Sequence, residues 1–513
     1  MKTIIFLFLF VFSFSQFHAQ EINCDKSELS KTIGKIKTEA LNNSKAYESL
    51  SYLCDVIGPR LMWSQEYTKS ALWLAEKMKE WQIEKVYKEN INKEGRSWTL
   101  NNFYATVTKP FVIPLIASPK AFSPGTNGLI TADVVYLNAK SEADLANYKG
   151  KLTGKIVLIA DAAYPRPYTS PLISRIADST LSFLSAASIP TEDERIKNKK
   201  AEEEGMAQFM LKLKFNSVKV SFCKDEGALL VVDGGGGYFG INRVWGNVAA
   251  RTPNDIYEYL IQDACNPDVP ESIPQITVSL EHYNSMLRAI ENGAAVKMEV
   301  NIDVTRGKPE EGFSLIGEIK GSDNPEEVVV IGGHLDSYHV GDGAADNAAG
   351  VITCVEALRI IKSLGIKPKR TIRAGLWGAE EQGLVGSTAH IEKHFSEKGG
   401  EKCVMYFNMD NGAGKFRGIY AQENVKAANK FREWFKIIND DGFQTVCMNK
   451  VENTDHVSFD KAGLPGFQFI QDPLEYWRTY HTNIDVVERV PKEDLKQNAF
   501  YMAALAWLAA NCD

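Results

Sequence analysis

The chain has 513 residues, 44% of them hydrophobic and 24% charged, a composition typical of globular proteins and a length that predicts two domains rather than one core. Its formal net charge of -7 gives no electrostatic basis for binding nucleic acid. Beyond the N-terminus no apolar stretch reaches the roughly 20 residues of a spanning helix, so no membrane partner is expected once that first segment is removed.

The N-terminal segment has Lys2, an almost wholly apolar run from Ile4 to Phe14, and Ala19 before Gln20. This is the layout of a cleaved secretory signal peptide over residues 1-19, and it predicts an exported protein, periplasmic or extracellular. Eight cysteines at positions 24, 54, 223, 265, 354, 403, 447 and 512 form no CxxC pair, which argues against a thiolate zinc site. Cys354 and Cys403 fall in apolar runs and read as buried thiols.

Ser30 to Gln82 reads as helical with a break at Gly58-Pro59, and Asn101 to Val107 as a strand. Pro110, Pro114, Pro119 and Pro124 then mark an exit from the first part. Short strands follow at Val134-Leu137, Ile156-Ile159, Leu229-Val232 and Ile276-Val278, the pattern of an inserted β-rich module. Within it, Glu192 to Lys214 is a charged helix whose run Lys197 to Glu204 reads as a solvated face. Gly235-Gly-Gly237-Tyr-Phe-Gly240 fits GxGxxG, but the segment from Ile241 is a poor helix, so no helix N-terminus is available for a pyrophosphate. It reads as a glycine-rich loop.

After the insert, strands and helices alternate: strand Val328-Ile331, helix Ala348-Leu364, strand Arg370-Trp377, helix Leu384-Phe395, strand Val404-Phe407, helix Ala427-Ile438, strand Phe467-Ile470 and helix Lys492-Ala510. This predicts an α/β fold with a mostly parallel sheet flanked by helices. The expected division is 20-115 and 305-513 as two parts of one domain, interrupted by 116-304.

His334, Asp336, Asp346, Glu380, Glu381, Asp410 and His481 each lie beyond an apolar strand. Strand carboxyl ends in such a sheet converge on one crevice. Imidazole and carboxylate ligands suit zinc, and a pair of ions needs one bridging carboxylate with separate terminal ligands. A further carboxylate must stay off the metal as a base, and adjacent Glu380 and Glu381 can divide these roles. Asp336 is placed to hydrogen-bond the far nitrogen of His334. Taken singly, other residues read structurally: His339 and Asp342 as loop residues, Asp455-His456 as a hydrogen-bonding pair, and His282, His390 and His394 as surface positions.

Gly332-Gly-His-Leu-Asp-Ser337, Ala345-Asp-Asn-Ala-Ala-Gly350, Trp377-Gly-Ala-Glu-Glu-Gln-Gly-Leu-Val-Gly-Ser387 and Tyr480-His-Thr-Asn-Ile-Asp485 resemble the co-catalytic dizinc aminopeptidases. With Ile57-Gly-Pro-Arg-Leu61, they resemble in particular the carboxypeptidase Q (plasma glutamate carboxypeptidase) branch. The resemblance implies a zinc exopeptidase fold with an inserted protease-associated domain and two zinc ions per chain. It implies one ion on His334 and Asp410, the other on Glu381 and His481, with Asp346 bridging and a cis peptide after it. Glu380 is then the general base, and Asp336 the partner of His334. The implied activity is hydrolysis of peptides with a free N-terminus by water activated between the two ions. Alternatives are a carboxypeptidase or dipeptidase anchored by Arg60, Arg373 or Arg478, a non-catalytic scaffold, and a one-zinc glutaminyl cyclase.

Overall fold

The computed structural model describes residues 26-164, 169, 171-251, 254 and 263-512. The expected signal peptide and Cys24 lie outside the described residues. Among the described residues no helix is long and apolar enough to cross a membrane.

Helices Lys26–Asn42, Ala46–Ser51 and Gln65–Glu80 precede strand β1 (Lys85–Gly95). The chain then builds a second sheet from β2 (Thr99–Lys109), β3 (Ile113–Pro114), β4 (Ala117–Pro119), β5 (Ile130–Tyr136), β6 (Ile156–Leu158), β7 (Leu230–Gly234), β8 (Gln275–Val278) and β9 (Lys297–Thr305). It returns to the first sheet as β10 (Glu310–Ile319), β11 (Asn324–His334), β12 (Arg370–Trp377), β13 (Lys402–Asn408), β14 (Phe416–Tyr420), β15 (Thr445–Cys447) and β16 (Gly466–Gln471).

The first sheet runs β1-β10-β12-β11-β13-β16-β14-β15. Its centre, β12-β11-β13-β16, is parallel as expected, whereas β10 pairs antiparallel with β1 and β12, and β14 pairs antiparallel with β16 but parallel with β15. The fold is therefore mixed α/β. Val328 to His334 is buried throughout, as strands covered by helices on both faces must be. Every residue from Ala349 to Ile361 of helix Ala349–Ser363 is also buried, because the closing helix Lys492–Asn511 packs over it and leaves it no solvent face.

The second sheet runs β3-β2-β9-β5-β6-β7-β8-β4. Its strands alternate strictly: Ile156, Leu158, Leu230 and Val232 enter one core with Tyr283 and Met286, while Val157 and Val231 enter another with Leu213 and Val220. Helices Leu280–Glu291 and Glu192–Asp225 supply those two covers, so the unit is α/β rather than β-rich. Lys197 to Glu204 is solvent-exposed. Asn101 to Val107, expected in the part ending at 115, instead pairs with β9 in this sheet. Gly95 pairs with Glu310 in the first sheet, and Thr99 pairs with Thr305 in the second. One antiparallel ribbon thus crosses from sheet to sheet.

Candidate metal centre

β11, β12, β13 and β16 end on the same edge of the sheet. His334 is the last residue of β11. β12 ends at Trp377, and Ala379 then takes a left-handed φ of 58°, which turns Glu380 and Glu381 toward the crevice. Asp410 follows β13 by two residues, and His481 follows β16 through a short helix, Tyr476–Thr479. The helix Ala349–Ser363 is preceded by Asp346, whose peptide bond to Asn347 is cis, matching the expectation.

Asp346 stands between the two imidazoles. Its Oδ1 is 3.3 Å from His334 Nε2 and its Oδ2 is 3.1 Å from His481 Nε2. Asp410 Oδ1 lies 3.7 Å from His334 Nε2, and Glu381 Oε2 lies 3.0 Å from His481 Nε2. Each half therefore contains one imidazole, one terminal carboxylate and one oxygen of Asp346.

His334 Nδ1 lies 2.9 Å from the backbone oxygen of Asp336. A carbonyl can only accept, so Nδ1 carries a proton and Nε2 is the nitrogen turned toward the carboxylates. The partner is thus the main chain of Asp336 rather than its carboxylate, which is 3.8 Å away. The carboxylate accepts instead from the backbone N–H groups of Glu380 and Glu381, each at 3.2 Å. Asp336 fixes both the imidazole and the turn that presents the two glutamates. Burial pushes its carboxyl up to about 7.

Burial, together with the charges of Asp410, Asp455 and Glu381, raises Glu380 well above the usual carboxylate range, although His334 pulls the other way. Burial likewise raises Glu381, and the Asp346 charge adds to it. Burial works against charge on His481, but Glu381 and Asp346 outweigh it and push the imidazole up to about 9. Desolvation also opposes ionisation of Asp346, yet hydrogen bonds to His334 and His481 hold it below its ordinary range. Such crowding of carboxylates calls for a cation. Glu381 Oε1 is buried without a hydrogen-bond partner among the described residues, an orphaned acceptor that a divalent cation would satisfy. The donor set fits zinc.

The sequence reading missed Asp485. Its carboxylate accepts from the N–H groups of Ala345 and Asp346 at 2.8 and 3.1 Å, and it holds Asp346 from behind. Asp485→Ala orphans two buried donors and is expected to destabilise the chain by about 2–4 kcal/mol. A thermal melt with chelator present checks this independently of metal, and an unchanged Tm would refute the bracing role.

Asp455 is fully buried, and burial pushes it up to about 7. His456 does make the expected structural bond, through Nε2 at 2.9 Å from the Val451 oxygen. His339 bonds the Pro119 oxygen at 3.0 Å and meets Trp98 edge-on, while Asp342 shapes the turn by accepting at its carbonyl from Arg60. His282 Nδ1 accepts from the Ile116 N–H.

His390 is a correction to the sequence reading, since it is buried and bonds Glu89, as does His394. The three have ligand atoms close enough for a metal. However, Arg373 lies 3.3 Å from His390 Nε2 and can only donate, so the His390 proton sits on Nδ1, facing Glu89. A cation there would need that proton removed. The cluster is an ion network in which Arg373 also bonds Glu318 and Glu401.

A cavity of about 790 Å³ opens over the centre. Its walls include Asp346, Glu380, Glu381, Asp410 and His481 from the first unit and Ile176, Met206 and Trp245 from the second. All seven residues expected at the site therefore meet at one edge of the sheet.

A buried pair of imidazoles sharing one carboxylate, beside a proton-avid glutamate at the floor of a cleft, defines a metal-dependent hydrolase. Residues 314–506 match the model of Peptidase family M28, and the chain is a metallo-exopeptidase. Carboxypeptidase Q of Rattus norvegicus is 26% identical over 488 residues, 95% of this chain and 89% of that protein. Among solved structures, the peptidase M28 precursor of Shewanella amazonensis SB2B aligns with a TM-score of 0.66 at 24% identity, covering 95% of this chain and 98% of that one. BSAP, a zinc aminopeptidase from Bacillus subtilis, aligns with a TM-score of 0.55 at 22% identity over 90% of this chain and 93% of its own. These two structural likenesses speak to the fold.

Proposed function

We propose that the chain is an exported, zinc-dependent exopeptidase acting on peptides with a free N-terminus, dipeptides included, with two zinc ions per chain. The observation that carries this reading is the division of the Asp346 oxygens between His334 and His481. His334 and Asp410 would hold one ion, His481 and Glu381 the other, with Asp346 shared. Bound there, zinc would supply Lewis acidity toward the scissile carbonyl and lower the pKa of water. Residues 99–305 would form the inserted protease-associated-like unit.

Glu380 lines the cavity and its proton affinity is raised. It is suited to take a proton from the attacking water and return it to the leaving amine. Asp336 holds Glu380 and Glu381 at fixed positions through their backbone N–H groups.

Cavity polarity supports recognition of an amine. Apart from the residues assigned to zinc, the acidic lining groups are Glu380 and Glu452, and the described lining residues include no lysine or arginine. Such a wall offers a substrate carboxylate no cationic side chain, while Glu452 is available to an ammonium. The three arginines considered as carboxylate anchors are engaged elsewhere. The buried Arg60 donates to the carbonyls of Leu335, Asp342 and Gly343. Arg373 bonds Glu318 and Glu401, and Arg478 bonds Glu475 at 2.6 Å.

The similarity to carboxypeptidase Q supports a second reading, a carboxypeptidase or dipeptidase. The test is hydrolysis of one dipeptide in free, N-acetylated and C-amidated forms, with and without chelator and zinc. Cleavage of the free and amidated forms alone, lost with chelator and restored by zinc, is the expected result. Cleavage that tolerates acetylation but requires the free carboxylate would overturn it in favour of a carboxypeptidase, and cleavage of the free form alone in favour of a dipeptidase. Zinc counting separates the remaining readings: none for a scaffold, one for a glutaminyl cyclase.

A further inference from the structure

The two imidazoles of the centre are oriented by different means. His334 is fixed by its Nδ1 hydrogen bond to the Asp336 carbonyl. His481 Nδ1 is buried and has no hydrogen-bond partner among the described residues, and the residue takes a left-handed φ of 57°. A histidine ligand ordinarily has its far nitrogen tied to an acceptor, which sets the ring. Here aromatic rings hold it. Trp245 meets the imidazole edge-on at 4.6 Å and 82°, and Tyr338 lies against it at 4.3 Å and 35°.

Trp245 comes from the inserted unit, directly after the glycine-rich loop that matched GxGxxG. That loop leaves β7 and folds back tightly. A Cβ on Gly235 would lie 2.8 Å from Asn242 Oδ1, and one on Gly237 would lie 2.6 Å from Ile241. The chain emerging from this turn pairs with the ligand-bearing segment. Arg243 bridges Thr482 in antiparallel fashion, the Val244 N–H donates to the His481 carbonyl at 3.0 Å, and the Asn242 N–H donates to Asn483 Oδ1 at 2.8 Å. The Arg243 guanidinium lies 4.1 Å from the Tyr480 ring centre and donates to the Trp477 carbonyl at 2.7 Å. Trp245 also meets the Tyr338 ring edge-on at 6.0 Å and 77°, which ties the second ring to the same segment.

The geometry points to the segment 241-246 of the inserted unit as the positioning element of the His481 half of the centre, with Trp245 as its principal residue: the glycine-rich loop docks one domain onto a metal ligand of the other. This rests on the two-zinc reading. It assigns the loop a role that no cofactor would fill, and it makes one half-site depend on the insert while the other depends on the first sheet alone.

The test is competition of the full-length apoprotein against a chromophoric chelator for zinc. Wild type is expected to bind two equivalents, and His481→Ala identifies which belongs to the His481 half. Trp245→Ala is expected to weaken that equivalent alone by about 10–100-fold, the effect typical of losing a ligand-orienting partner. Trp245→Phe, which keeps a ring at that place, should recover most of the loss. A folded Trp245→Ala protein with both affinities unchanged, or with both weakened equally, would overturn the assignment. Should Trp245→Ala fail to fold, Arg243→Ala releases the segment from Tyr480 and Trp477 and is expected to weaken the same equivalent; no selective effect there would overturn it equally. Fewer than two equivalents in wild type would instead refute the two-zinc reading itself.

Discussion

Glu380→Gln is expected to keep its full metal content and to lose turnover by about two to four orders of magnitude, the contribution of a positioned general base. The substitution is nearly isosteric, and the N–H that Asp336 accepts from residue 380 belongs to the backbone, so the turn is preserved. The amide cannot take up a proton. The carboxylates assigned to zinc, Asp346, Glu381 and Asp410, are untouched. Metal analysis and steady-state kinetics on the same preparation check both halves of the expectation. Retained turnover, or loss of zinc together with activity, would show that Glu380 is a ligand or a bystander.

Asp346→Ala is expected to abolish activity and to lower the content of both metal ions. Its two oxygens face different imidazoles at 3.3 and 3.1 Å, so one truncation removes a donor from each half. It also leaves His334 and His481 with fewer anionic neighbours. Full occupancy at both positions would contradict the bridge. Asp410→Ala is the instructive contrast, since it faces His334 alone.

The centre of the first sheet was legible because buried parallel strands are written as continuous apolar runs. Val328-Val329-Val330-Ile331 and Arg370 to Trp377 could be placed from that signal alone, and the acidic and histidine residues beyond them marked the crevice. β1 escaped notice because it is an edge strand whose Lys, Glu and Asn side chains alternate between solvent and a half-covered face. The two-residue position of Asp336 after His334 pointed to the right partner, but sequence does not distinguish a side-chain oxygen from a main-chain one. His390 and His394 looked like a helix surface because their helix carries Glu392 and Lys393. Their burial comes from Glu89 on β1 and from Arg373 on β12, an arrangement visible only when the strands are assembled. Asp485 was within a quoted motif, yet its role as acceptor for the Asp346 N–H depends on a chain crossing that no local pattern encodes.

The ribbon that passes between the sheets has a consequence for how so long an interruption is tolerated. Gly95 faces Glu310 and Thr99 faces Thr305. Joining β1 to β10 through roughly 200 unstructured residues would cost about 4–5 kcal/mol of chain-closure entropy. Once β2 and β9 have paired, that closure has already taken place inside the second unit, and β1 meets β10 across a connection no longer than a tight turn. To the first sheet the intervening polypeptide is a hairpin loop of a few residues, whatever its true length.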